Sequence, residues 1–168
     1  RTLVINNLEY DHADIFPDLA AIQRQFHHLL RMVPANGLVL SPEDTPAVSQ
    51  TLQMGCWSER QSYGKDWRAE LLSADGSHFA LYLQDKQLGE LNWQLSGQHN
   101  VDNAVMAIAA ARHAGVPVEV ALDALTRFVA PKRRMELKAD VAGIKVYDDF
   151  AHHPTAISTT LQGIRNKV

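Results

Sequence analysis

Two short apolar runs, at residues 3–5 (LVI) and 38–40 (LVL), constrain the fold of this chain more than any other feature. Continuous apolar runs of this length are typical of strands that are buried on both faces of a parallel sheet. Between the runs, apolar residues recur at helical spacing from Leu19 to Val33, which predicts an amphipathic helix beginning near Pro17. Strand, helix and strand in this order indicate an α/β fold in which helices cover parallel strands.

The middle of the chain has a different pattern. Apolar and polar residues roughly alternate in residues 67–72, 78–83 and 88–95, with turn-forming residues between these segments. This predicts a small antiparallel meander with one solvated face. Helical patterns return at residues 101–113 and 117–129. A hairpin around Gly143 and a last helix from Pro154 complete the predicted elements.

Composition excludes several classes of function. The net charge is −3, and no basic footprint of a nucleic-acid-binding protein is present. The longest wholly apolar segment, residues 104–111, is too short to cross a bilayer, so no membrane contact is expected. The single cysteine, Cys56, excludes an internal disulfide framework and fits a reducing compartment, which favours the cytoplasm.

Both ends of the sequence favour a piece of a longer protein. Arg1 is followed directly by a strand pattern, and the last predicted helix has no segment after it to cover its apolar face. We therefore expect that N-terminal and C-terminal parts of the same protein are missing.

Potential metal ligands follow the first predicted strand. Glu9, Asp11, His12 and Asp14 lie within residues 6–14, at the strand end where ligands gather in open α/β sheets. Magnesium prefers oxygen ligands, so a lone histidine would act beside phosphate oxygens and water. The alternative is a solvated loop whose polar residues cap the next helix.

Two asparagines lie at the start of the helix predicted after Gly97. Asn100 and Asn103 are three residues apart and therefore share one face of that helix. An asparagine amide offers a donor and an acceptor, the pair that adenine presents at N6 and N7. The alternative for Asn100 is a role as the helix N-cap.

Charged residues surround the predicted hairpin. Arginine in the cluster 132–134 could hold phosphate oxygens through its planar guanidinium group, although most such clusters are solvated. An aspartate of the segment 147–154 could accept hydrogen bonds from ribose hydroxyls, or could cap the helix that follows. His152 and His153 suggest zinc, but the sequence has no matching cysteine or Glu-x-x-His pattern.

In this order the motifs resemble those of the Mur ligase family. They are Asp-His-x-Asp (residues 11–14), Gly-x-His-Asn-x-x-Asn-Ala (97–104), Arg-Arg (133–134) and Asp-Asp-Phe-Ala-His-His-Pro (148–154). The resemblance implies that residues 1–130 are the second half of a central ATP-binding domain. Residues 131–168 would then begin a Rossmann-like C-terminal ligase domain.

The resemblance also implies roles for individual residues. His12 would be a ligand of the second magnesium ion. Asn100 and Asn103 would hold the adenine of ATP, with His99 close by. Arg134 would lie near the ATP phosphates, and Asp149 would contact the ribose. His27 stands where some members carry a modified lysine, so this chain should follow the branch that manages without that lysine.

Four segments, at residues 7–16, 25–29, 54–59 and 146–157, resemble most closely one branch of the family. That branch joins a salvaged L-alanyl-γ-D-glutamyl-meso-diaminopimelate tripeptide to UDP-N-acetylmuramate through an acyl phosphate, in peptidoglycan recycling. The sequence has no Gly-x-x-Gly-Lys-Thr loop, the usual cradle for the β- and γ-phosphates of ATP. We therefore expect this segment alone to be inactive.

Three other hypotheses remain open at this point. The first is the ligase that adds L-alanine alone to the same nucleotide sugar. The second is a non-catalytic adenine-nucleotide-binding module that is complete as given. The third is a histidine-rich metal-binding protein.

Overall fold

The computed structural model describes residues 1–167 and is of the α/β class. Its helices are α1 (Leu19–Leu30), α2 (Pro46–Gln53), α3 (Gln98–His113), α4 (Val118–Thr126) and α5 (Pro154–Arg165). Its strands are β1 (Thr2–Val4), β2 (Leu38–Pro42), β3 (Glu59–Tyr63), β4 (Trp67–Leu71), β5 (His78–Leu83), β6 (Lys86–Asn92), β7 (Glu136–Val141) and β8 (Ile144–Asp148). No helix within residues 1–167 is both long enough and apolar enough to cross a membrane.

Strands β1 to β6 form one mixed sheet in sequence order. The first three strands are parallel, with Val4 opposite Leu40. Strand β4 joins β3 at a single residue pair, Tyr63 and Trp67, and β4, β5 and β6 are antiparallel. The predicted parallel strands and meander are therefore confirmed, as two halves of a single sheet.

The sequence patterns did not predict α2 or β3. Strand β3 has the sequence ERQSY, which contains no apolar run. Its first two residues, Glu59 and Arg60, are exposed. Its place in the sheet comes from backbone pairing with β2 over its whole length. Helix α2 has only eight residues, too few to show a clear helical period.

The apolar run at residues 38–40 of strand β2 is buried on both faces of the sheet. Leu38 and Leu40 pack into a cluster with Trp67, Phe79 and the buried face of α3. Val39 points to the opposite cluster, which contains buried residues of α1 and α2. The sheet is thus covered by helices on both faces, as the buried run predicts.

The N-terminal end of α1 is fixed by a side-chain cap. Asp18 has an extended backbone, and its Oδ1 accepts a hydrogen bond from the N–H of Ala21 at 2.7 Å. The helix begins at Leu19, two residues after Pro17. A short aspartate at this position satisfies one of the N–H groups that the first turn leaves without a partner.

The β7–β8 hairpin and α5 follow the six-stranded sheet. Ala142 and Gly143 both have positive φ, 53° and 82°, as a two-residue hairpin turn requires. The single buried residue of α5 is Gly163, which lies against Gly97 at the start of α3. Val168, the last residue of the predicted C-terminal unit, lies outside the described residues.

Candidate functional site

A cavity of about 460 Å³ lies between the start of α3, the end of α4 and the β7–β8 hairpin. We call it the arginine-side cavity. The five residues predicted to bind ATP all line it, namely His99, Asn100, Asn103, Arg134 and Asp149. Its apolar wall includes Leu95, Ala104, Leu125, Phe128 and Met135. Polar groups from separate parts of the sequence therefore converge on one partly apolar space, as in small-molecule sites generally.

The two asparagines keep complementary groups for a ligand. Asn100 donates from Nδ2 to the carbonyl oxygen of Ser96 at 2.7 Å, and Asn103 accepts at Oδ1 from Asn6 Nδ2 at 2.8 Å. The Oδ1 acceptor of Asn100 and the Nδ2 donor of Asn103 remain, and adenine presents the matching donor and acceptor at N6 and N7. The N-cap of α3 is Gly97, so the alternative role of Asn100 as the N-cap is wrong.

Asp149 fixes the loops at both ends of the hairpin. Its Oδ2 accepts from the N–H of Met135 and its Oδ1 from the N–H of Ala151, both at 2.8 Å. Each carboxylate oxygen has a second lone pair that can still accept a hydroxyl hydrogen bond. The carboxylate is therefore held rigidly and can also serve a ribose.

The two neighbouring arginines have different surroundings. Arg133 lies over the ring of Phe150, with 4.8 Å from its guanidinium carbon to the ring centre, and its Nε is 3.6 Å from Asp148 Oδ1. Arg134 forms no ion pair with any of residues 1–167 and lines the cavity. Of the two guanidinium groups, that of Arg134 is available to an anionic ligand.

His99 lies beneath Gly97 at the start of α3. A Cβ on Gly97 would come within 2.9 Å of His99 Nδ1, and Gly97 has a φ of 95° that favours glycine. Burial lowers the pKa of His99, with a smaller opposing effect of the nearby Asp149 carboxylate. The Nδ1 atom is buried and has no hydrogen-bond partner within the described chain. A larger residue at position 97 would clash with this imidazole, so Gly97 and His99 pack closely at the start of α3.

A second cavity, of about 550 Å³, lies at the carboxyl ends of β1, β2 and β3. We call it the sheet-edge cavity. His99 and Asn103 line both cavities, so the two are adjacent. The further polar lining residues are Asn6, Asn7, Glu9, Asp11, Thr45, Tyr63, Asp102, His153, Thr155 and Thr159. Of the four potential metal ligands that follow the first strand, Glu9 and Asp11 line this cavity.

Several of these lining residues were not singled out from the sequence. Tyr63 ends strand β3, which the sequence patterns did not predict, and its hydroxyl accepts a hydrogen bond from Gln98 Nε2 at 3.0 Å. Burial, together with the carboxylate of Asp102, raises the pKa of Tyr63, so the hydroxyl stays protonated. Thr155 and Thr159 reach the cavity only because α5 lies across it.

The predicted magnesium ligand His12 lies beside this cavity and does not line it. Its φ is 55°, its side chain is 67% exposed, and its Nε2 is 4.0 Å from Asp11 Oδ2. Among residues 1–167, no three His, Cys, Asp or Glu side chains form a group that could hold a metal ion.

Three other histidines, at positions 27, 152 and 153, have different contacts. His27, at the position of the modified lysine, lies on α1 with its ring centre 6.1 Å from that of Trp57, away from both cavities. His152 Nδ1 is 3.0 Å from the carbonyl oxygen of Phe150, and His153 pairs with Glu9. The two adjacent histidines thus have different partners.

Comparison with known proteins indicates the same family as the motifs. The Mur ligase middle domain matches residues 2–111, and the Mur ligase glutamate ligase domain matches residues 133–168. UDP-N-acetylmuramate–L-alanyl-γ-D-glutamyl-meso-2,6-diaminoheptandioate ligase of Haemophilus influenzae is 55% identical over 170 residues. That match covers 100% of this chain and 38% of the relative.

A second relative belongs to the rival branch. UDP-N-acetylmuramate–L-alanine ligase of Acidothermus cellulolyticus is 36% identical over 172 residues, covering 96% of this chain and 36% of the relative. The similarity is thus considerably higher to the tripeptide ligase than to the L-alanine ligase.

The crystal structure of a murein peptide ligase from Psychrobacter arcticus has the same fold. It superimposes with a TM-score of 0.74 at 47% identity, covering 99% of this chain and 35% of that chain. This chain therefore spans little more than a third of the length of the proteins it matches. From its motifs, its fold and the domains that it matches, the chain belongs to the Mur ligase family.

Proposed function

We propose that this chain is part of an ATP-dependent ligase that joins L-alanyl-γ-D-glutamyl-meso-diaminopimelate to UDP-N-acetylmuramate in peptidoglycan recycling. Its 55% identity to a ligase named for those substrates, against 36% to an L-alanine ligase, supports this choice. In the proposal, residues 1–130 belong to the central ATP-binding domain and residues 131–168 begin the C-terminal ligase domain. A cytoplasmic location is also proposed, because ATP is the co-substrate.

One observation carries the nucleotide-binding part of the proposal. Five residues from three separate segments line a single cavity, although each was chosen from its motif alone. We propose that Asn100 and Asn103 hold the adenine, that Asp149 contacts the ribose, and that Arg134 binds the phosphates. His99 lines both cavities and would lie between the nucleoside and the phosphate chain.

The sheet-edge cavity carries negative charge, which by itself disfavours the binding of phosphate groups. Glu9, Asp11 and Asp102 are carboxylates, which would repel phosphate unless cations lie between them. Magnesium would supply that charge neutralisation when bound, and we propose His12 as one of its ligands. The other ligands would be phosphate oxygens, water and segments beyond this chain.

The proposed reaction has two steps. The lactyl carboxylate of UDP-N-acetylmuramate receives the γ-phosphoryl group and becomes an acyl phosphate, and ADP is released from the transfer. The free amine of the tripeptide then attacks the acyl carbon, an amide bond forms, and phosphate leaves. Chemistry of this kind depends mainly on alignment and on neutralising charge, so the rigidly held Asp149 and the available Arg134 contribute by positioning.

This segment alone is proposed to bind nucleotide weakly and to be inactive. Its sequence lacks the Gly-x-x-Gly-Lys-Thr loop, whose backbone N–H groups cradle phosphates in such enzymes.

A substrate competition on the full-length protein tests the proposal. The protein is incubated with ATP, magnesium and UDP-N-acetylmuramate, and either the tripeptide or L-alanine, and the product is identified by mass. We expect the tripeptide product and little L-alanine product. A product formed only with L-alanine would assign the chain to the rival ligase. ATP binding without either product would favour a non-catalytic nucleotide-binding module.

A further inference from the structure

The carboxylate of Glu9 connects the beginning of the six-stranded sheet to helix α5. Its Oε2 accepts a hydrogen bond from Thr155 Oγ1 at 2.7 Å and lies 3.2 Å from His153 Nδ1. Its Oε1 accepts from Asn7 Nδ2, also at 2.7 Å. His153 and Thr155 flank Pro154, the first residue of α5, so Glu9 fixes the start of that helix.

Helix α5 is a wall that the two cavities share. Thr155, Ala156 and Thr159 line the sheet-edge cavity, and Thr160 lines the arginine-side cavity. A displacement of α5 would therefore change the width of both cavities at once.

The other contacts that hold α5 are less directional than its hydrogen bond to Glu9. Gly163 packs on Gly97 so closely that an added Cβ would lie 3.2 Å from the Cα of Gly97, but this contact involves no hydrogen bond. At the far end, Asn166 Nδ2 reaches the carbonyl oxygen of Ala74 over 3.4 Å, a long hydrogen bond. The bonds to Glu9 are short and involve a carboxylate, which makes them the strongest directional contacts of the helix.

Glu9 is suited to this role because both of its carboxylate oxygens accept hydrogen bonds, Oε1 from Asn7 and Oε2 from Thr155. The hydrogen bonds from Asn7 and Thr155 lower its pKa, and the nearby His153 adds a smaller lowering, while burial opposes them. Its side chain is 32% exposed, so the carboxylate is partly shielded from water.

We propose that Glu9 is a positioning residue that holds α5 as the common wall of the two cavities, and so sets nucleotide affinity through the position of that helix. The inference rests on the proposed function, because it takes the two cavities to be the nucleoside and phosphate sides of one site.

The test uses the full-length protein with Glu9→Gln, Thr155→Val and the double variant. Thr155→Ser keeps the hydroxyl, and Glu119→Gln changes an exposed glutamate on α4 outside both cavities. Amide hydrogen exchange of α5 is measured without nucleotide, and the affinity for a non-hydrolysable ATP analogue is measured by calorimetry.

We expect exchange in the first turns of α5 to rise about tenfold in Glu9→Gln and Thr155→Val, and nucleotide affinity to fall about fivefold. The double variant should be little worse than Glu9→Gln alone, because the hydrogen bond that Thr155→Val removes is one of the contacts that Glu9→Gln already weakens. Thr155→Ser and Glu119→Gln should match the wild type.

The outcomes separate this inference from the proposed function. Unchanged α5 exchange in Glu9→Gln and Thr155→Val would overturn the positioning role, whether or not ATP binds. Faster exchange with unchanged nucleotide affinity would overturn the link between α5 and the site. If the wild type binds no nucleotide, the proposed function fails, and with it the link to affinity, while the exchange data still decide whether Glu9 holds α5.

Discussion

Asn6 donates a hydrogen bond from Nδ2 to Oδ1 of Asn103 over 2.8 Å, and so joins the loop after β1 to the first turns of α3. The two residues are 97 positions apart in sequence. The bond fixes the orientation of the Asn103 amide and directs its Nδ2 donor away from Asn6. A residue that belongs to no motif thereby orients one that does.

Replacing Asn6 with alanine should weaken nucleotide binding. A net hydrogen bond is worth about 0.5–1.5 kcal/mol, which corresponds to roughly a two- to tenfold loss of affinity. Calorimetric titration of the full-length protein with an ATP analogue measures the effect. Asn92→Ala, at an exposed position on β6, is the matched control and should leave affinity unchanged. Wild-type affinity in Asn6→Ala would show that the Asn103 amide needs no such support.

The two neighbouring arginines should respond differently to substitution. Arg134→Ala should lower nucleotide affinity about tenfold and reduce its dependence on salt, because a phosphate would lose a charge partner. Arg133→Ala removes the contacts with Phe150 and Asp148 and should mainly lower the melting temperature. Titrations at two salt concentrations and thermal unfolding of both variants make the comparison. The assignment of Arg134 to the phosphates would not survive equal affinity losses in both variants.

Asp149 should be more sensitive than Asp148 to replacement by asparagine. In Asp149→Asn, one acceptor oxygen becomes an amide donor that faces a backbone N–H, either that of Met135 or that of Ala151. We expect this variant to lower nucleotide affinity at least about tenfold and to lower the melting temperature. Asp148→Asn keeps an acceptor beside Arg133, so an effect below about threefold is expected. Similar losses of affinity in the two variants, measured by calorimetric titration, would argue against ribose contact by Asp149.

His99 should contribute to the loss of stability in acid. Burial lowers its pKa in the folded protein below the usual 6.5, so the unfolded chain binds more protons as the pH falls. The folded state therefore loses stability below about pH 6.5, the usual pKa of histidine, and this dependence is absent above that pH. The variant His99→Gln cannot titrate, and its melting temperature should decline less than that of the wild type between about pH 7 and about pH 5. Parallel declines in the two proteins would contradict a depressed pKa for His99.

Much of the fold could be predicted from local patterns. Leu38 and Leu40 enter one core cluster and Val39 enters the opposite one. A strand buried on both faces needs apolar residues at every position, so this run could be recognised from the sequence. Strand β3 could not be predicted, because it has no apolar run and only pairing with β2 makes it a strand. Helix α3 begins at Gln98, earlier than its apolar residues indicate, because the backbone N–H groups of Asn100 and Val101 donate to the carbonyl oxygen of Gly97.

The candidate site divides in the same way. Asn103 and Asp149 belong to recognisable sequence motifs, so they could be chosen from the sequence. The structure places both at one cavity. Tyr63 and Thr155 were not chosen from any motif. They line the site because the end of β3 and the start of α5 meet there. The choice of His12 as a magnesium ligand remains a prediction.

Sequence patterns alone indicated the family, the order of most strands and helices, and the identity of the polar residues predicted to bind ATP in the arginine-side cavity. These properties depend on periodicity and on short motifs, which are local in the chain. Three findings required the three-dimensional fold: Asn6 orients Asn103, Arg134 rather than Arg133 is available to a ligand, and Glu9 contacts the start of α5. Each of these depends on distances between residues far apart in sequence, or on competition between neighbouring side chains for partners, and neither is encoded in any local pattern.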